Sequence, residues 1–440
     1  MVTHAACILT IGNELLNGDV VNTNASWLGG RLRSAGIPCR TILTVGDSHA
    51  SILQALKQIW QDHDLIIVSG GLGPTRDDVT KKALAEFFDD VLVRDIRVLE
   101  HVTSWFKKRG REISEVNRQQ ADIPQKAKIL FNDLGTAPGL LIEQDRKLLA
   151  AMPGVPYELH YITEKRLIPE LEVRWKKSER RVQQAYLRTI GIGESDLSGM
   201  VLKELEDRIP GNVDIAFLPH PSGVDIRITE INGNADSVFF GFAEWVKKQA
   251  GVYVYSEDYQ QSLPAAMVAL LIEKNRTVSF AESCTGGYLA NALTDIPGSS
   301  HCVKGGFVAY DNAVKSGQLD IPVSLIERHG AVSAPVALAM AEAAGKKMNA
   351  DFGISTTGIA GPEGGTPEKP VGTVWIGFWS HPRNSKPAHF ACRYHFSTER
   401  LVNKERSFAA AMDILRRNIK GISGFPHNPY VVTASESTPP

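Results

Sequence analysis

Short apolar runs alternate with longer segments of helical period at both ends of the chain. Cys7–Ile11 (CILTI) is the first run and Ile42–Val45 the second. Asp64–Val68 (DLIIV) is the third, apolar through its middle, as in a strand covered on both faces. Between these runs, helical spacing predicts a helix from near Asn24 to Gly36, another over Ser51–Trp60, and a third from about Val79. Strands alternating with helices in this way predict a doubly wound α/β domain. The pattern then changes. Tyr186–Ile192, DIAFLP and VDIRITEI are strand-like, the last two with period-2 alternation, beside helices predicted over Ser195–Glu206 and Phe239–Ala250. That combination reads as a small α+β domain. The α/β pattern returns with Thr277–Phe280 and continues to about Ser423. The predicted organisation is an N-terminal α/β domain over 1–170, a small α+β linker domain over 171–258 and a C-terminal α/β domain over 259–424. The Pro/Ser/Thr-rich stretch over 425–440 is expected to be disordered.

Composition narrows the class only slightly. Of 440 residues, 43% are hydrophobic and 22% charged, with a formal net charge of −1. Those proportions suit a globular protein and give no global electrostatic case for binding nucleic acid or an anionic membrane. Five scattered cysteines without CxxC spacing point to reduced thiols and a cytoplasmic location. MVTHAACILTIG lacks the basic and long apolar regions of a signal peptide and reads as a first strand. The longest apolar run, Ala265–Ile272, is too short to span a bilayer.

Candidate chemistry sits where strands turn into helices. AESCTGG (Ala281–Gly287) follows the strand-like TVSF and precedes the helical YLANALTDI. Ser283, Cys284 and Thr285 therefore stand at a helix start, where free N–H groups and the helix dipole suit a phosphate or a developing oxyanion. Gly286 and Gly287 let backbone approach a ligand closely. The bland alternative is a serine or threonine helix cap. If Ser283 is a nucleophile, Lys315 and Tyr310 in KGGFVAYDNAVK are candidate proton acceptors, and Thr357 would position the substrate. The amides around Thr285–Gly287 would meet a tetrahedral oxyanion, which suggests acyl transfer such as amide hydrolysis. Cys284 is the rival nucleophile, although most free cysteines are simply buried thiols. The helix in HGAVSAPVALAMAEAAG reads as core packing capped by Ser333, and Asp351–Phe378 as two strands joined by a Gly/Pro-rich binding loop.

At the other end of the chain, Gly12–Gly18, Gly46-Asp47 and Gly70–Asp78 all follow strands, where open α/β sheets bind ligands. In SGGLGPTRDD, glycines hold a loop open and Thr75 and Arg76 can bind phosphate oxygens. Asp77 and Asp78 offer hard oxygen ligands. The alternative is a glycine turn followed by an acidic helix start.

Taken together, these stretches resemble the CinA family of bacterial competence/damage-inducible proteins over nearly the whole length. GNELLNGDVVNTNASWL, TVGD, SGGLGPTRDD, GTAPG and MPGVPYEL resemble its N-terminal domain, which is similar to the molybdopterin-binding MogA/MoeA folds. AESCTGG, KGGFVAYDNAVK, HGAVS and TTGIAGPEGGTPEKPVGTV resemble its C-terminal nicotinamide mononucleotide deamidase domain. The resemblance implies a bifunctional enzyme of pyridine nucleotide salvage, often dimeric. Its C-terminal domain would hydrolyse nicotinamide mononucleotide to nicotinate mononucleotide and ammonia without a cofactor. Ser283 would be the nucleophile, Tyr310 and Lys315 would assist proton transfer, and Thr357 would line the site. Thr285, Gly286, Gly287, Gly306, Gly358 and Arg400 would bind substrate. The N-terminal domain would be a metal-dependent ADP-ribose pyrophosphatase, with Gly71, Gly73 and Thr75 on the substrate. Asp47, Asp77, Asp78 and Glu14 would handle a divalent ion. Two departures stand out. STERLVNKERS (Ser397–Ser407) lacks the family's Gly-Asp pair and carries Lys404 where an arginine is expected. Asn13 stands where Thr or Asp is more usual. A competing reading is a pterin- or nucleotide-binding protein with a degenerate C-terminal domain. A role as a direct DNA-binding partner fits the near-neutral charge poorly.

Overall fold

In a computed structural model of the chain, the residues described are 5–73, 78–175, 183–203, 210–230, 236–381, 387–422 and 430–436. The chain divides into two compact units, Met1–Val182 and Gln183–Pro440.

The first unit is organised by a mixed sheet. β1 (Ala6–Ile11), β2 (Cys39–Val45) and β3 (Leu65–Ser69) are parallel, with β1 between the other two. The strands β4 (Leu92–Arg94) and β5 (Asp122–Pro124) form a separate two-stranded ribbon. The main sheet continues through β6 (Lys128–Leu130), β7 (Gly139–Gln144) and β8 (Lys147–Met152) in the order β2-β1-β3-β8-β7-β6. Alternate residues of the central strands feed two cores. Leu9, Ile66 and Val68 join the helix His49–Trp60 on one face, while Ile8, Leu65 and Ile67 join Leu28 and Leu32 on the other. This two-sided burial is why DLIIV lacks any polar alternation. Asn22 caps the helix Thr23–Ser34 by accepting from the Ala25 amide. Because β2 lies to one side of β1 and β3 to the other, a crevice opens between the carboxyl ends of β1 and β3.

The second unit holds an antiparallel four-stranded sheet and a mixed six-stranded one. β9 (Gln183–Thr189), β10 (Val213–His220), β11 (Gly223–Glu230) and β12 (Val254–Ser256) lie in the order β10-β11-β9-β12. One face packs on the helices Glu194–Leu202 and Asp236–Ala250 through Leu197, Ile226, Ile228 and Val246. The larger sheet has the order β14-β13-β15-β16-β17-β18. Its strands are β13 (Val278–Glu282), β14 (Val303–Val308), β15 (Phe352–Gly358), β16 (Thr373–Ser380), β17 (Ala388–His395) and β18 (Val431–Glu436). β14, β13 and β15 run parallel and the others antiparallel. Val278 and Phe280 pack towards Leu271, Leu289 and Leu415. Ala281 points the other way, towards Leu319, Ile321 and Met340. The two sheets are tied by Asp413, fully buried on the helix Arg400–Lys420, which pairs with Arg416 and Arg417. Arg416 also donates to the carbonyls of Val252 and Val254.

Two sequence expectations need correction. The segment expected to be a disordered tail contributes β18, which pairs with β17 from Tyr394↔Val431 to Phe390↔Glu436. Its β-branched Val431, Val432 and Thr433 suit a strand, and they satisfy backbone groups that β17 would otherwise present at a bare edge. Ser333 precedes the helix Ala334–Lys347 as expected but makes no cap hydrogen bond. Its hydroxyl donates to the Gly330 carbonyl instead.

Candidate active site

The larger sheet repeats the topology of the first. β14 lies on one side of β13 and β15 on the other, so a crevice opens where β13 and β15 end. Glu282 pairs with Thr356, and the Ser283 amide donates to the Thr356 carbonyl at 2.9 Å. Ser283 and Thr357 are therefore neighbours across the crevice. Side chains alternate along a strand, so both face the same way as Ala281 and Ser355. Ser355 and Thr357 confirm that direction by donating to the carbonyls of Ala337 and Ala331, both on the side of the helix Ala334–Lys347.

Lys315 comes to this face from the helix Asn312–Leu319. It shares a helical stripe with Leu319, which packs in the same cluster as Ala281. Lys315 is only 1% exposed. Its ammonium donates to the Tyr310 carbonyl at 3.1 Å. Burial pulls its pKa below the ordinary value, opposed by the nearby charge of Asp311 and by Cys284. A lysine in that state yields its neutral, proton-accepting form more readily. Tyr310 is exposed at the mouth, where its hydroxyl accepts from Arg400 at 3.0 Å. Arg400 also donates to the Gly361 carbonyl.

The turn after β13 is held by a residue that the sequence reading missed. Glu282 is buried, and one of its carboxylate oxygens accepts from the amides of Gly287 and Leu289 and from the Thr285 hydroxyl. The other accepts from the Ala290 amide. Glu282 thus caps the helix Tyr288–Thr294 in place of the serine or threonine expected there. An acidic residue ending an apolar strand was the available signal: buried, it needs several donors, and a helix start supplies them. Gly286 and Gly287 have φ of 62° and 93°, a conformation glycine adopts without strain.

Several assignments shift as a result. The Thr285 hydroxyl is held by Glu282 and Thr356 and faces inward, so it does not reach a substrate. The Gly286 amide donates to the Ser283 carbonyl and the Gly287 amide to Glu282, so both are already engaged within the turn. Gly306 and Gly358 also have a packing reason to be glycine: added Cβ atoms would lie 3.2 Å from Phe280 and 2.6 Å from the Thr373 carbonyl. Cys284 is buried, and burial pushes its thiol up to about 12, with Glu282 adding to the shift, so it is no thiolate near neutrality. Lys404, the departure from the family pattern, still brings charge to the turn. Its ammonium lies 3.8 Å from where a Cβ on Gly286 would stand. Asn403, also missed, fastens the adjoining loop by donating to the carbonyls of Ala360 and Ser397.

In the first unit, Gly70 and Gly71 leave β3 with positive φ, and added Cβ atoms would strike the Ile11 carbonyl and the Thr80 hydroxyl. Glu14 is exposed and folds back over Gly12. Asp47 accepts from the Asn13 amide group at 2.6 Å. The Asp78 carboxylate lies against Gly73. Thr75, Arg76 and Asp77 fall outside the described residues. Among the described residues, no group of three or more His, Cys, Asp or Glu converges in a way that could hold a metal ion.

Three family models match the chain in succession. Residues 260–419 match the family described as "CinA C-terminal domain", and residues 7–173 match "Probable molybdopterin binding domain". Residues 184–256 match "Damage-inducible protein CinA KH domain". A "Putative competence-damage inducible protein" of Caldicellulosiruptor bescii is 38% identical over 417 residues, covering 94% of this chain and 98% of that protein. The chain belongs to the CinA family. A "CinA-like protein" of Cytophaga hutchinsonii is 36% identical over 431 residues, covering 96% of this chain and all of that relative. The small α+β domain is thus the CinA family's KH domain, and the N-terminal domain is molybdopterin-binding-like in fold. Among the described residues, no helix is long and apolar enough to cross a membrane.

Proposed function

We propose that the C-terminal CinA domain hydrolyses the carboxamide of nicotinamide mononucleotide. The observation that carries this reading is the placement of Ser283 beside Thr357 at the β13/β15 crevice, with the buried Lys315 on the same face. Ser283 attacks the carboxamide carbon and passes its proton to neutral Lys315. The amides of Cys284 and Thr285 meet the oxyanion. Collapse breaks the C–N bond, and Lys315 returns the proton to the leaving nitrogen, which departs as ammonia. Water then attacks the acyl-serine with Lys315 again as base, releasing the carboxylate and restoring Ser283. Arg400 and Lys404 face the phosphate, and Tyr310 orients Arg400 at the mouth. Ammonia release from nicotinamide mononucleotide, wild type against Ser283→Ala, tests the reading. Release by wild type alone supports it, and equal release by both sinks Ser283 as nucleophile.

For the N-terminal domain we infer ADP-ribose hydrolysis to AMP and ribose 5-phosphate. The β1/β3 crevice supports it, with glycine backbone at Gly70 and Gly71 and carboxylates at Glu14, Asp47 and Asp78 around it. AMP release before and after EDTA treatment tests both the activity and its metal requirement. Release that EDTA leaves untouched would remove the metal from this reading.

A further inference from the structure

A cavity of about 490 Å³ lies within the second unit, between the KH domain and the CinA domain. It falls within the size range of small-molecule sites, which favour seams between domains. On the KH side its wall is formed by the turns Gly191–Glu194 and Pro219–Gly223. On the other side it is formed by the helix Arg400–Lys420 together with Phe396 and Tyr430.

Arg406 is the informative residue. Its Nε is buried and has no hydrogen-bond partner. Among the described residues, no carboxylate pairs with its guanidinium, which instead lies 4.5 Å from the centroid of the Tyr430 ring. Arg416 and Arg417 on the same helix both hold Asp413, although one terminal nitrogen of Arg417 is also buried without a partner. A buried N–H is a state that native folds rarely leave without a partner. The wall opposite adds a second feature. The helix Glu194–Leu202 begins there with Gly193 as its N-cap and no side-chain cap, so its first amides keep their donor capacity. One group in the wall, Glu194, runs against an anion, and one behind it, Asp225, does not line the cavity. Glu194 is exposed, and Asp225 is taken up by Arg188 and His220.

We propose that this seam is a ligand site for a small aromatic carboxylate. The planar guanidinium fork matches a carboxylate in two parallel hydrogen bonds. Phe396 and Tyr430, with ring centroids 5.6 Å apart, and Val402 offer apolar surface to a flat ring. The site is separate from the proposed deamidase chemistry and stands without it. It shares one helix with that chemistry: Arg400 and Lys404 occupy one stripe, and Val402, Arg406 and Ala409 another.

The test is isothermal titration of the full chain with benzoate, using wild type, Ser283→Ala and Arg406→Gln. Saturable binding is expected in wild type and Ser283→Ala alike, with affinity in Arg406→Gln lower by about tenfold or more. Val402→Phe, which narrows the cavity without touching the charge, is expected to weaken benzoate as well and serves if Arg406→Gln does not fold. Inorganic phosphate is expected to compete poorly. Absence of saturable benzoate binding in wild type would overturn the proposal, as would equal affinity in Arg406→Gln and Val402→Phe. Efficient displacement by phosphate would overturn the aromatic part, leaving a general anion pocket.

Discussion

The two parallel crevices of this chain are built on the same plan and furnished differently. In each, one strand has its sequential neighbours on opposite sides, so the chain leaves the sheet in two directions and a cleft opens. Each cleft also has a pair of glycines with positive φ at a strand-to-helix turn: Gly70 and Gly71 in one, Gly286 and Gly287 in the other. The difference lies in the polar groups. At the β13/β15 crevice Ser283, Lys315 and Thr357 are all buried, and the turn that carries Ser283 is fixed by the carboxylate of Glu282. At the β1/β3 crevice Glu14 is exposed and Asp47 and Asp78 are half-buried. Fixed, desolvated groups are pre-organised for chemistry by the protein alone. Solvated carboxylates around a glycine loop make a cradle that the ligand must complete.

The strongest way to break this comparison is to remove one site and read both activities. Ser283→Ala is expected to lower ammonia release by on the order of a thousandfold or more, with AMP release unchanged. Asp78→Asn is expected to do the reverse. A common loss in either variant would mean that the clefts are not separate sites. Lys315→Met comes next, with a loss of about a hundredfold or more in kcat, typical of a missing general base. The pH profile sharpens that assignment. The neutral amine is the active form, so kcat should rise with pH through the Lys315 pKa, which burial places below the usual 10.5. Asp311 raises that pKa, so Asp311→Asn should move the rising limb to lower pH. Asparagine can still accept from the Ala313 amide as Asp311 does, which keeps the helix cap. A rising limb that stays in place would remove Lys315 as the titrating base.

How legible each crevice was in the sequence follows from the same difference. Strands and their order of burial were readable because DLIIV and TVSF carry their own pattern. The positions of Ser283 and Lys315 were readable as ends of elements, but their shared face was not. That depended on the register Glu282↔Thr356 and on which stripe of Asn312–Leu319 meets the sheet. Glu282 went unseen because a carboxylate is an ordinary surface residue until tertiary structure surrounds it with amides. Gly306 and Gly358 read as ligand-approach glycines, and the strands packed against them supply a packing reason for glycine that the sequence did not reveal. β18 was hidden by its composition: serine, threonine and proline dominate the segment, and only pairing with β17 makes a strand of it.

The smallest expected effect concerns charge at the rim of the C-terminal crevice. Lys404 approaches the Gly286 turn from the helix Arg400–Lys420, and Arg400 is held by Tyr310 and the Gly361 carbonyl. If Lys404 meets the substrate phosphate, its contact is the same in ground and transition states. Lys404→Ala should then raise KM for nicotinamide mononucleotide by about tenfold and leave kcat within about twofold. Lys404→Arg should restore most of the loss, because the requirement is for positive charge near a phosphate and arginine offers it in a fork. The nucleoside lacking the phosphate should be insensitive to both substitutions. A fall in kcat without a change in KM would place Lys404 with the reacting carboxamide. The C-terminal crevice would then have its chemical and binding ends exchanged, and Arg400 alone would remain for the phosphate.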